Sequence, residues 1–367
     1  MNDTIALENP AKAEKITAYP WFDWLRFFLA SVVVLDHADF KFLNILDGGL
    51  AVSVFFALSG WLIGGILLNT RKELLPRFFF NRATRIWIPY ALAIVLLYGV
   101  AALREGINFF WFKYLILDVT FTHQLFTFFP AASYEMPLDG SGNQFWSISV
   151  EEQFYLLAPL IIVFTPLGKS LKLWSLISVS LVLFGSVFAA ISLGVGAAIL
   201  QRDFAFAIRV GVRYAAASIV VLSGIGMVVF DTDFILEPVL AVSVVIATAI
   251  PGARNSLAMT VGGLSYPLYL NHWIGVFAVN FVSKRWLSIN QETFAILQYV
   301  LNVLLALGLY WIIDRQIQKR RNIWYSPRLG RTLALTAYGL VCVGIIVGAA
   351  MHVLGPHAII STTTPQQ

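Results

Sequence analysis

Charge is scarce in this chain. Only 12% of its 367 residues are Asp, Glu, Lys or Arg, about half the share of an ordinary soluble domain. A larger core cannot absorb that deficit, because a water-facing surface still needs polar cover. Lipid must therefore be the solvent for much of the surface. Cysteine is scarcer still: the single Cys342 lies in an apolar run, which excludes a disulfide framework and a paired-cysteine metal site. The first twenty residues carry Asp3, Glu8, Lys12, Glu14 and Lys15 and lack the apolar centre of a signal peptide. Residues 1–19 are thus expected to form a short cytoplasmic tail.

What is abundant agrees with this. The chain is 59% hydrophobic and holds 11 Trp, 13 Tyr and 29 Phe, a composition suited to helix ends seated in two membrane interfaces. The net charge of +5 does not point to nucleic acid, because the basic residues cluster in short loops between apolar runs.

Apolar windows of spanning length fall at residues 22–40, 48–68, 86–103, 108–127, 145–164, 173–198, 206–230, 234–251, 258–282, 293–313 and 332–354, against about 20 residues needed per span. These windows predict an all-α integral membrane protein, a ten-helix bundle plus one additional C-terminal transmembrane helix. The fourth is the weakest, since it contains Lys113, Asp118 and His123. Basic residues orient the chain. Arg71, Lys72, Arg77, Arg82 and Arg85 crowd one link, and Arg315, Lys319, Arg320, Arg321, Arg328 and Arg331 crowd another. Placing both inside, with a cytoplasmic N-terminus, requires an even number of spans between them. Lys169, Lys172, Lys284 and Arg285 then fall outside, a smaller violation. The expected location is the inner (plasma) membrane, multi-pass. The last helix is expected to put the Thr/Pro/Gln tail outside.

Charged groups inside spans are costly and mark function, so each is weighed against a structural role. Arg26 and His37 are eleven residues apart in the first span, on one helical face and about 16 Å apart along the axis. Taken alone, Arg26 can snorkel to the interface and His37 can cap the helix. Ser59 and Gly60 in the second span read as packing residues. Arg82 and Arg85 share a face at the cytoplasmic mouth, where two guanidinium forks suit a phosphorylated ligand or simply anchor the topology. The fifth span holds adjacent Glu151 and Glu152, with Ser147 on the Glu151 face. A carboxylate pair in an apolar helix favours function over packing. Ser265, Tyr269 and His272 form a polar stripe that either lines a cavity or bonds across helices.

In this order the stretches resemble the acyltransferase-3 family of membrane acyltransferases. The resemblance rests on Arg26-x10-His37, Phe55-Phe-Ala-Leu-Ser-Gly-Trp-Leu-Ile63, Arg82-x-x-Arg85 with Ile-Trp-Ile-Pro-Tyr, and Trp146-Ser-Ile-Ser-Val-Glu-Glu-Gln-Phe-Tyr155. Leu264-Ser-Tyr-Pro-Leu-Tyr-Leu-Asn-His272 adds late support. It implies a ten-helix domain over residues 20–320, followed in 321–367 by a basic linker, an extra helix and a polar tail. It implies transfer of an acyl group, usually acetyl from cytoplasmic acetyl-CoA or another acyl-CoA, to a hydroxyl of a glycan or glycoside. His37 would be the catalytic histidine and Arg26 its partner. Arg82 and Arg85 would engage the CoA phosphates, and Ser147 with Glu151 would complete the site. Two departures stand out: Asp36 precedes His37, and Pro267 stands where the family often has Ser. No hydrolase-like domain follows the spans, so transfer by this chain alone is expected.

An alcohol attacking a thioester needs a base and an oxyanion stabiliser. His37, read as the histidine deep in a span, serves as base or carries the acyl group itself. Glu151 can orient its imidazole. His123, with no motif around it, is expected to be silent. No metal is implied, because no His/Asp/Glu set has ligand spacing. A transporter or flippase using the same buried charges is the competing class, and a membrane sensor a third. Acceptor, acyl chain and oligomeric state are not specified by the sequence.

Overall fold

The computed structural model describes residues 18–40, 46–127, 132–230, 233–286 and 290–356, with the side chains of 208 and 284–286 excepted. The expected N-terminal tail up to residue 17, the polar tail after 356, and the Lys284 and Arg285 side chains lie outside the described residues. Every regular element among the described residues is helical.

Helix α1 (Trp21–Asp36) leads into α2 (Gly48–Leu68), whose start is capped by the Asp47 carboxylate accepting from the Leu50 N–H. A basic turn follows, then the long α3 (Leu75–Glu105), with Pro76 in its first turn and Gly106 at φ 77° after its end. The start of α1, the end of α2 and the start of α3 thus share one end of the bundle, here termed the basic end.

The fourth window does not traverse the bundle. Helix α4 (Phe109–Val119) has only 11 residues, about 16 Å and half of a hydrocarbon core. The chain then turns at Phe121 (φ 54°) and returns through the single turn α5 (Ala132–Glu135). The return is fastened at the far end: the Leu138 N–H donates to both Glu105 carboxylate oxygens at 3.1 and 3.0 Å. A buried Lys113–Glu135 pair at 2.5 Å ties the two arms together. Polar residues explain this shape. Asp118 accepts from His123 Nδ1 at 2.6 Å and from the Tyr98 hydroxyl at 2.5 Å, all buried. Backbone that leaves the helix at this depth is tolerable only where protein covers it.

Helix α6 (Phe145–Ile162) carries the chain back to the basic end, where Lys169 Nζ donates to the Leu68 carbonyl at 2.8 Å. Lys169 therefore sits with the basic link and not opposite it, which corrects the expectation for the Lys169–Lys172 stretch. The sixth window is also corrected. Residues 173–198 are divided between α7 (Leu171–Leu183) and α8 (Ala189–Phe204), joined by a turn with Gly185 at φ 60°. Arg202 donates to the Lys169 carbonyl at 3.1 Å, so α8 ends where α7 begins. An apolar window cannot see this break, because the turn itself is short and uncharged.

Helices α9 (Val210–Phe230) and α10 (Asp233–Thr248) follow, and the Gly252 N–H donates to Ala18 O at 3.0 Å beside the start of α1. Helix α11 (Ser256–Trp286) runs alongside α1 in the same direction, with Gly262 against Asp23 and His272 beside His37. Helix α12 (Gln291–Leu309) continues through a π-turn into the basic α13 (Arg315–Trp324). Helix α14 (Pro327–Leu354) begins against the start of α3, where a Cβ on Gly330 would lie 2.2 Å from Pro76 O. Its Gly344 and Gly348 then meet Thr120 and Phe126, so α14 covers the re-entrant segment.

Among the described residues, five helical stretches are long and apolar enough to cross a membrane: Gly48–Leu68, Lys72–Glu105, Val210–Phe230, Gln291–Trp324 and Pro327–Leu354. On Val210–Phe230, the side chains of Tyr214, Val221, Leu222 and Val228 are exposed, a surface that water would penalise at about 25 cal/mol per Å² of apolar area. The chain is a helical membrane protein.

Candidate active site

The site is built on α1, α3, α6 and α11. At the basic end, one turn of α1 presents Asp23 and Arg26. Asp23 Oδ1 accepts from Arg26 Nη1 at 3.0 Å, and Arg254 Nε approaches Asp23 Oδ2 at 3.1 Å. Asp23 was not singled out by the sequence reading. Its signal was available, since it is a carboxylate within the first apolar window, three residues before Arg26. Arg26 also lies within electrostatic range of Arg85, and Arg82 within range of Glu151, Tyr155 and Arg321. Guanidinium groups from α1, α3 and the loop before α11 thus converge on one mouth. Arg85 is exposed there, whereas Arg82 is half-buried and its Nε has no hydrogen-bond partner among the described residues.

From that mouth a polar line runs along α6. Ser147, Glu151 and Tyr155 recur every four residues and so share one face over about 12 Å. Tyr155 donates to Glu151 Oε2 at 2.9 Å and shares a 2.9 Å hydrogen bond with Ser59. One turn further, Ser147 Oγ meets the Tyr269 hydroxyl at 2.6 Å. Ser147 and Glu151 therefore do lie on one line, as their spacing required. Among the described residues, however, Glu151 has no hydrogen bond or ring contact with His37. It belongs to the arginine end, and it does not orient the imidazole.

His37 lies at the other end. It is the C-cap of α1, not deep within a span, and its side chain is exposed. That corrects the sequence expectation, and the reason is local: α1 stops at Asp36, whose carboxylate accepts the Gly48 N–H at 3.1 Å and starts α2. Asp36 is thus engaged in the α1–α2 connection. The ring of His37 is held instead by Nδ1, which donates to Val33 O at 2.8 Å. It faces an open cavity of about 380 Å³ lined in part by Asp39, Asn280, Ser283, Gln291 and Phe294. That volume falls within the range of small-ligand sites, about 300–1,000 Å³. Behind His37 stands His272, fully buried, at a ring-centroid distance of 4.9 Å. The stripe of Ser265, Tyr269 and His272 therefore splits: Tyr269 and His272 enter the site, while Ser265 bonds to its own helix at Gly262 O.

Arginines thus gather at one mouth of a membrane-embedded helical protein, and a histidine stands at an open cavity beyond the other end of a polar line. Residues 19–315 match the family described as an acyltransferase domain, and the chain belongs to this acyltransferase-3 family. It is similar to the peptidoglycan O-acetyltransferase OatA of Listeria monocytogenes, 29% identical over 188 residues, which is 47% of this chain and 29% of that protein. It is also similar to the O-acetyltransferase OatA of Staphylococcus aureus, 29% identical over 160 residues, 40% of this chain and 25% of that protein. The chain thus spans less than a third of the length of these curated relatives. No solved structure matches it. Among the described residues no group of His, Cys, Asp and Glu is arranged to hold a metal ion.

Proposed function

We propose that the chain transfers an acyl group, acetyl by preference, from cytoplasmic acyl-CoA to a hydroxyl of a glycan or glycoside on the other side of the membrane. The observation that carries this reading is the row of polar side chains from Arg82 and Arg85 past Tyr155, Glu151 and Ser147 to Tyr269, with His272 and then His37 beyond it. Arg26, Arg82 and Arg85 anchor the CoA phosphates at the basic end, where charge-assisted forks recognise phosphate best. The thioester arm follows the α6 face. The acceptor enters the cavity at His37, whose Asn280, Ser283, Gln291 and Asp39 side chains offer the hydrogen-bonding groups a polyol needs. His37 Nε2, left free by the Nδ1 bond to Val33 O, takes the acceptor's proton.

In the membrane, α1, α2, α3, α6, α7, α8, α9, α10, α11 and α12 with α13 provide ten crossings, and α14 an eleventh. This partition differs from the expected one: the fourth window is re-entrant and the sixth contributes two helices. The basic end then faces the cytoplasm in the inner membrane, and Lys169 no longer violates the charge rule. Mass spectrometry of cell-surface glycans with and without the gene tests the reading. A loss of one acyl mass per modified sugar on deletion supports it. Unchanged glycans, with an impaired movement of a glycan substrate, would favour a carrier.

A further inference from the structure

We infer that His272 carries the acyl group between the two sides, while His37 serves as the base. This rests on the acyl-transfer reading above and assigns its chemistry to two imidazoles.

A carbonyl oxygen only accepts, so each ring must carry its proton on the nitrogen that faces one. His37 Nδ1 lies 2.8 Å from Val33 O, and His272 Nδ1 lies 2.8 Å from Tyr269 O. Each neutral ring therefore keeps its lone pair on Nε2. In His272 that nitrogen is buried and has no hydrogen-bond partner among the described residues. An unpaired buried acceptor costs stability, which selection would remove unless it were used. The two rings differ in one respect that decides their roles. His37 opens onto the acceptor cavity, whereas His272 is sealed from solvent behind it, next to the Ser147–Tyr269 pair that ends the polar line. An acyl-imidazole is hydrolysed readily by water. The sealed ring can hold one and the exposed ring cannot. Trp273 completes the arrangement. Its ring lies 5.4 Å from His37 and 5.5 Å from His272, and its buried indole N–H also lacks a partner among the described residues. It is available to a carbonyl oxygen as negative charge develops there.

The steps balance. His272 Nε2 bonds to the thioester carbonyl carbon and the C–S bond breaks, releasing a CoA thiolate that takes a proton from water. The acyl-imidazolium keeps its Nδ1 proton on Tyr269 O. The acceptor hydroxyl oxygen then bonds to the same carbon as its proton passes to His37 Nε2. The C–N bond breaks and returns its electron pair to His272, and His37 gives its proton to the cavity water. The products are an ester and CoA.

The test uses the purified full chain in detergent with carbonyl-labelled acetyl-CoA, and no acceptor. His37→Gln, like the unaltered protein, is expected to release CoA in one stoichiometric burst, because loading needs no acceptor base, and on addition of a glycan acceptor only the unaltered protein is expected to turn over. His272→Gln is expected to lose the burst. Rapid-quench peptide mapping of the unaltered protein, which needs no variant to fold, is expected to place the label on His272. Label on His37, Tyr269 or Ser147 overturns the assignment, as does a full burst in His272→Gln. If the unaltered protein transfers acetyl to an acceptor hydroxyl but accumulates no label, transfer is direct and the carrier is refuted while the acyltransferase reading survives. If it consumes no acetyl-CoA with or without glycan acceptors, that reading fails too.

Discussion

Arg82 and Arg85 stand three residues apart on one helix, yet one is half-buried and the other exposed. Both face the same mouth, so under the proposed function each would lose charge-assisted contacts to CoA phosphate when truncated. Such contacts are worth about 1.5–3 kcal/mol, and Arg82→Ala and Arg85→Ala are expected to weaken acetyl-CoA affinity by at least about ten-fold each in calorimetry. Unchanged affinity in both would make them topological anchors only. His123 behaves differently. Its replacement is expected to be silent for acyl transfer, but its ring is bonded to a fully buried Asp118, so stability is affected. His123→Ala leaves that carboxylate short of a donor and is expected to lower stability by about 1–3 kcal/mol, read as a reduced thermal midpoint. A midpoint within error of the unaltered protein would contradict this. At this scale the sequence singled out polar side chains within the spans but not the neighbours they meet. Arg26, His37, Ser147 and Glu151 sit on the polar line or at its ends, but the pairing of Tyr155 with Ser59 depends on the rotation of α6 against α2. That rotation comes from packing, which hydrophobic periodicity does not report.

Helices α2 and α8 meet where neither has a side chain to keep them apart. A Cβ on Gly60 would lie 2.0 Å from Ile191 O, and one on Gly194 would lie 2.1 Å from Ala57 O. Small residues at a membrane helix crossing gain close van der Waals contact where no hydrophobic driving force separates helix from lipid. This contact also fixes the face of α2 that gives Ser59 to Tyr155. Gly194→Val is expected to push the helices apart and cost on the order of 1–3 kcal/mol, while Gly196→Ala, with nothing within 4 Å of its Cβ, is expected to be neutral. Equal midpoints for the two variants would refute the close crossing. The sequence marked Gly60 as a packing residue correctly. It did not show the α7–α8 turn, since Ser186 and Gly185 interrupt the apolar run too briefly to register in a twenty-residue window. The re-entrant shape of α4 was half legible. Lys113, Asp118 and His123 flagged the window as weak, but the Glu105 and Glu135 contacts that bring the chain back come from outside the helix itself.

The whole molecule is polarised: guanidinium groups gather at one end and an imidazole pair at the other, with protein-enclosed polar groups between. That polarity fixes what a topology measurement must find. Single cysteines at Lys169 and Ser186, in a Cys342→Ser background, are expected to label from the cytoplasmic and outer sides respectively. Labelling of Lys169→Cys from outside would restore a single span over residues 173–198 and break the helix order proposed above. The central claim, however, is that chemistry occurs at His37 on an acyl group delivered from the arginine end. It is tested most directly by transfer of labelled acetyl from acetyl-CoA to a glycan acceptor, measured per unit of membrane-inserted protein, in His37→Ala against the unaltered chain. Loss of the base is expected to reduce the rate by about 10²–10⁴-fold with acetyl-CoA affinity unchanged. Transfer at the unaltered rate in His37→Ala would contradict the account.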